Sequence, residues 1–167
     1  MKAKLIVEGK EFPIEIHDPE LQKLLAPQNM TGYERLVKGH YYYVDENGFV
    51  REELERDRGF DDDAYNTANY YSSEKVAANN ARADELMRQL RRFAVEHREQ
   101  EIDWNSEVQN KFSILYDYSD NEVAVERDIY GRYHGIVYFD SIEIARLAIE
   151  TFHDELIWYF TEYKDSL

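Results

Sequence analysis

The chain has 167 residues, 35 of them Asp or Glu and 20 Lys or Arg, for a formal net charge of −15; 43% are hydrophobic, 14% are aromatic and none is Cys. That much apolar surface excludes a disordered chain, and the length suits one compact domain or two small halves sharing a core. The lack of Cys excludes disulfides, a thiol nucleophile and thiolate metal sites, while the acidity disfavours binding to nucleic acid or anionic membranes and favours basic partners.

Ala3 to Val7 and Phe12 to Ile16 predict a hairpin through Gly9-Lys10, because Phe12, Ile14 and Ile16 alternate with Glu11, Pro13 and Glu15. The apolar run Leu5-Ile6-Val7 is too short for the core of a signal peptide, and no stretch approaches the roughly 18 apolar residues of a membrane span. A soluble intracellular, cytoplasmic protein is expected. Asp18 as N-cap, Pro19 at the first helical position and Leu21, Leu24 and Leu25 as a stripe predict a short helix that Pro27 ends. Gly32 and Gly39 mark turns, closing an N-terminal segment over residues 1–39.

Residues 40–100 read as a β-β-β-α unit. His40 to Val44 is a strand, Asn47-Gly48 signals a type I′ turn, and Phe49 to Leu54 is the returning strand. Glu52, Glu53, Glu55 and Asp57 then mix with Arg51, Arg56 and Arg58. Three adjacent carboxylates, Asp61, Asp62 and Asp63, repel one another and predict a solvated loop, with a cation as the alternative. Ala68 to Tyr71 predicts a third short strand, and Ser72 or Ser73 caps a helix running from Glu74 to Arg98. Val76, Asn80, Ala83, Met87, Leu90, Ala94 and His97 recur at helical spacing on one face, widened by Ala77, Leu86 and Phe93. The other side carries Arg82, Arg88, Arg91, Arg92 and Arg98, read as partners for acidic residues of the C-terminal part rather than as a nucleic-acid patch.

Residues 101–167 predict a second β-β-β-α unit and hold 15 acids against 5 bases, where residues 1–100 hold 20 against 15. Glu99 to Gln109 is a packed connector anchored by Ile102 and Trp104. Phe112, Ile114, Tyr116 and Tyr118 alternate with Ser113, Leu115 and Asp117 as a half-buried strand, Ser119-Asp120-Asn121 turns, and Glu122 to Arg127 returns with Val123 and Val125 inward. Gly135 to Phe139 predicts the third strand, and Asp140 with Glu143 a capping box for one helix from Ile142 to Tyr163. That helix is apolar over most of its circumference, so it is either core or the interface of a homodimer, with Trp158 and Phe160 as the interface residues. At an offset of 68, Tyr70 falls on Tyr138, Ser73 on Ser141 and Ala77 on Ala145. The expected fold is therefore α+β: two tandem β-β-β-α units with antiparallel sheet, plus the N-terminal hairpin and short helix.

No phosphate loop, His-Glu-x-x-His or Gly-x-Ser-x-Gly motif occurs, and the five His stand more than four residues apart. Asp117, Ser119, Asn121, Val123, Val125 and Asp128 match the spacing of a calcium loop, but Glu122 stands where that loop needs Gly. Neither a cofactor nor a metal nor an enzymatic activity is expected. Tyr41-Tyr42-Tyr43 suits base stacking, yet acids outnumber bases around the other tyrosines at 116, 118, 130 and 133.

Tyr65-Asn66-Thr67-Ala68-Asn69-Tyr70-Tyr71, together with Tyr138-Phe139-Asp140-Ser141 and the run from Phe152 to Tyr163, resembles small acidic accessory proteins of phages and prophages of Gram-positive bacteria. The similarity covers residues 33–165; where those proteins have Gly before Asn-Tyr-Phe, this chain has Ala68 and ends on Tyr71. The resemblance implies an inhibitor of host defence, of anti-CRISPR or anti-restriction type, whose acidic patches imitate DNA phosphates. The expected partner is the basic surface of a CRISPR effector or another host nuclease. The expected contact residues are Glu52, Glu53, Asp61, Asp62, Asp63, Asp117, Asp120, Glu122, Glu126 and Asp128. A structural or assembly module of a phage that oligomerises through its C-terminal helix is the alternative.

Overall fold

The computed structural model describes the backbone of residues 2–7 and 10–15, residue 17, and residues 30–166. In the N-terminal unit, β1 (Lys2–Val7) pairs antiparallel with β2 (Lys10–Glu15), as the alternation predicts. Lys10 pairs with Val7, so it belongs to the strand and not to the turn. The helix expected from Asp18 lies outside the described residues.

Residues 32–167 form the other unit. Its order is β3 (His40–Val44), β4 (Val50–Leu54), α1 (Gly59–Asn66), α2 (Glu74–Glu96), β5 (Lys111–Asp117), β6 (Glu122–Asp128), α3 (Ile142–Thr151) and α4 (His153–Thr161). The class is α+β, with every described sheet a two-stranded antiparallel hairpin.

The β3–β4 connection differs from a two-residue type I′ turn. Only Gly48 takes positive φ, at 87°, and the carboxylate of Asp45 accepts the N–H groups of Asn47 and Phe49, each at 2.9 Å. A positive φ at Asn47 is unnecessary once an Asp side chain organises the turn from its first position. Neither predicted third strand is a ladder. Tyr71 makes a single bridge with Tyr42, and Phe139 a single bridge with Phe112. Ala68 at φ 56° and Gly135 at φ 77° take the approach to each bridge out of the extended region.

Helix α2 is the shared element. Its 23 residues span about 35 Å at 1.5 Å per residue, enough to serve two cores. Near its start, Val76 and Ala77 pack with Tyr71, Tyr42, Val44 and Val50. Further along, Leu86, Leu90, Phe93 and Ala94 join Phe112, Phe139, Ile144, Ala145, Ala148 and Leu156 in the largest cluster. Ser73 is its N-cap, accepting from the Val76 N–H. Arg82 pairs with Glu155 at 2.8 Å and lies 3.9 Å from the Trp158 ring centre, so this arginine meets the acidic C-terminal part as its position suggests.

The closing helix is two helices. Phe152, at φ −114° and ψ 23°, separates α3 from α4, and the Thr151 hydroxyl donates to the Leu147 carbonyl at 2.7 Å, a back-bond that bends helices. The break sets the Phe152 ring edge-on to Phe93, 5.5 Å away. The N-cap of α3 is Ser141, whose hydroxyl accepts the Ile144 N–H at 3.2 Å, and not Asp140. Asp140 is buried instead and accepts the N–H groups of Glu99 and Gln100 at 2.9 Å each, tying the connector after α2 to the start of α3. Ser141→Ala is therefore expected to destabilise the fold by about 1 kcal/mol in urea unfolding. Asp140→Ala should instead show as faster amide exchange at Glu99 and Gln100. Lys111, 1% exposed, fixes the start of β5 by donating to the carbonyls of Ser106, Gln109 and Ile129 at 3.1, 3.1 and 2.9 Å.

Candidate functional site

The predicted acidic surface divides into two groups with different physical roles. Around α1, Glu55 and Asp61 are internal. Asp61 does not sit in a solvated loop: it stands in the first turn of α1 and is 3% exposed. One of its oxygens accepts the Tyr41 hydroxyl at 2.9 Å, the other the N–H groups of Arg56 and Arg58, both at 3.0 Å. A carboxylate at a helix N-terminus with three donors is stable without a metal ion. Asp62 lies 2.6 Å from Arg35, which also reaches Glu55 at 3.5 Å. Glu55 is buried and accepts the Tyr70 hydroxyl at 2.8 Å, and the Tyr41 and Tyr70 rings stack 4.0 Å apart. Tyr41 is thus fully buried in this cluster, which rules out its ring as a base-stacking platform. Glu53 is half-buried and caps the Leu54 N–H, Glu52 is exposed 3.6 Å from His40, and Asp63 is exposed.

Titration follows from this network. The Arg58 N–H above all, then the Arg56 N–H and the Tyr41 hydroxyl, hold the Asp61 carboxyl below its ordinary value against the opposing effect of burial. The Phe49 N–H does the same for Asp45, helped by Arg51 and the Asn47 N–H. A depressed carboxyl contributes stability that is present above its unfolded value, about 3.9, and is lost as pH falls through the folded value. Stability should fall as pH drops below about 4, and Asp61→Asn should flatten that limb in a pH series of urea unfolding. At the other extreme, burial foremost pushes the phenols of Tyr70 and Tyr71 up to about 12. A raised phenol contributes stability below its unfolded value, about 10, that is lost as pH rises beyond it.

The second group occupies the β5–β6 hairpin. Cross-strand partners share a face, so Asp117 and Glu122 lie opposite one another, as do Ser113 and Glu126, and Lys111 and Asp128. Val123 and Val125, on the other face, pack against the main core. Asp117 and Asp128 also shape turns, accepting the N–H groups of Ser119 at 2.8 Å and Gly131 at 2.8 Å. Asp120, Glu122 and Glu126 are exposed and take part in no ion pair among the described residues. The hairpin therefore presents three exposed carboxylates on a packed scaffold, none of them in an ion pair among the described residues.

The proposed oligomer residues point inward. Trp158 is 9% exposed, covered by Arg82 and Tyr163, and Phe160 is half-buried against Tyr116 and Tyr159. Among the described residues there is no group of three His, Asp or Glu side chains placed to hold a metal ion, and no helix is long and apolar enough to cross a membrane. Residue types at fixed spacing could not single out Arg35, which sets the fate of Glu55 and Asp62 from twenty and more residues away.

No protein-family model matches the chain, no curated protein matches it and no solved structure matches it.

Proposed function

We propose that the chain is a non-enzymatic inhibitor that binds the basic surface of a nucleic-acid-handling host enzyme, through carboxylates of the β5–β6 hairpin that take the place of phosphates. The observation that carries this reading is the contrast between the two acidic groups. Within the α1 group Glu55, Asp61 and Asp62 are matched by Arg35, Tyr hydroxyls and backbone N–H groups, whereas Asp120, Glu122 and Glu126 stand exposed together on a packed hairpin in a chain of net charge −15. Like charges across a strand pair disfavour folding by a few tenths of a kcal/mol, and while Asp117 is accounted for by its turn, Glu122 opposite it gains nothing from that pairing. The resemblance to phage accessory proteins supports the setting: an anti-CRISPR or anti-restriction role in the cytoplasm of a bacterial host. The contact surface narrows to Asp120, Glu122 and Glu126, with Asp117 and Asp128 at its margin. The recurrence of hairpin, bridge and Ser-capped helix supports reading residues 40–100 and 101–167 as tandem units. An assembly module that oligomerises through Trp158 is less well supported, because Arg82 and Tyr163 already cover that ring.

The test is capture of partners from a Gram-positive lysate on the immobilised chain, followed by elution with a salt gradient. A nuclease or other nucleic-acid enzyme released by moderate salt supports the reading. A partner retained unchanged at high salt, or one with no nucleic-acid activity, counts against it.

A further inference from the structure

Strand β6 is an edge. In β5 the N–H and C=O of Phe112 both bond Phe139, so Phe112 and its alternates face away from β6, while residues 111, 113, 115 and 117 bond β6. On β6 the same alternation directs Glu122, Ala124, Glu126 and Asp128 toward β5 and leaves the N–H and C=O groups of Val123 and Val125 pointing outward. Among the described residues no hydrogen bond reaches those groups. Beside this edge runs a groove of about 390 Å³, floored by Ile142 and Ile149 of α3. Its charged lining is Glu122, Glu150 and Arg146, two acids against one base.

We infer that the free edge of β6 takes up an extended segment of a partner protein in which basic and apolar residues alternate. The inference rests on the reading above and names the form of the partner. Open backbone donors and acceptors along an edge select a strand, and pockets for alternate side chains then set its sequence. Residues of the added strand opposite Val123 and Val125 share their face and lie over Ile142 and Ile149. Residues opposite Glu122 and Glu126 share the outer face, where Lys or Arg makes cross-strand ion pairs. The same carboxylates argue against a second copy of this chain. Antiparallel pairing of two β6 strands about Ala124 would set Glu122 against Glu126 twice, and charged edges are how sheets avoid self-association.

The test is an NMR titration of the full chain with a seven-residue peptide alternating lysine and valine. Two further versions of the peptide are N-methylated on alternate amides, one on the set that would face β6 and one on the set that would face away. The expected result is slowed amide exchange at Val123 and Val125, at least tenfold weaker binding with one N-methylated set and little change with the other. Glu122→Lys with Glu126→Lys should weaken the unmodified peptide by tenfold or more. Binding lost on charge reversal but indifferent to which amides are methylated overturns strand addition while leaving the acidic contact surface standing. Binding that survives charge reversal and is matched by a peptide with serine in place of lysine overturns the charge reading and leaves the edge as the site. Protection of β6 that grows with protein concentration in the absence of peptide makes a second copy the occupant and overturns the proposal.

Discussion

Replacing Asp120, Glu122 and Glu126 together by lysine is expected to slow association with the proposed basic partner by about tenfold or more at low ionic strength, an effect that shrinks as salt rises. Long-range attraction sets the encounter rate, and like-charged contacts at the rim suppress it. The fold should survive the change. All three side chains are exposed, and Glu122→Lys converts the like-charged pair with Asp117 into an opposite-charged one. Stopped-flow or surface-capture kinetics at two salt concentrations, with urea unfolding as a control, separates loss of steering from loss of structure.

Phe139→Ala is expected to have the largest effect on stability, about 3–5 kcal/mol. The ring is 1% exposed and lies in the cluster that joins α2, β5, α3 and α4. Its backbone bridge to Phe112 does not depend on the side chain, so the loss would report packing rather than pairing. Since a domain of this size is stable by only about 5–15 kcal/mol, the variant should unfold at markedly lower urea. Leu147→Ala, at a position 44% exposed on α3, provides the contrast and should change stability little. Similar losses at the two positions would mean that the core is not where Phe139 sits.

Much of the secondary structure was legible because its signals are local. The alternation at Phe112 to Tyr118, the turn at Asp120-Asn121 and the Ser73 cap each act within a few residues, and each appears where the pattern places it. What was illegible depended on groups brought in from afar. Asp61-Asp62-Asp63 reads as a wet loop until Tyr41 and Arg35 arrive from other parts of the chain to satisfy the first two carboxylates. Asp140 has the chemistry of an N-cap, but its side chain turns toward the connector at Glu99 and leaves the capping to Ser141. The break at Phe152 carries no Pro or Gly; the Thr151 back-bond is local, but the packing of the Phe152 ring on Phe93 that accompanies the bend is not visible in the sequence. Of the acidic residues that composition brought forward, tertiary contacts buried Asp61 and paired Asp62 with Arg35, and left Glu52, Asp63 and the hairpin carboxylates Asp120, Glu122 and Glu126 exposed.

The central claim, that exposed carboxylates of the β5–β6 hairpin stand in for nucleic-acid phosphates, is tested most directly by competition. A captured host enzyme held by the chain would be titrated with double-stranded DNA, and its own nucleic-acid-dependent activity followed in parallel. The account predicts mutual displacement: DNA releases the chain, the chain inhibits the enzyme, and the triple lysine variant does neither at the same concentration. Simultaneous binding of DNA and chain, with activity unchanged, would contradict it.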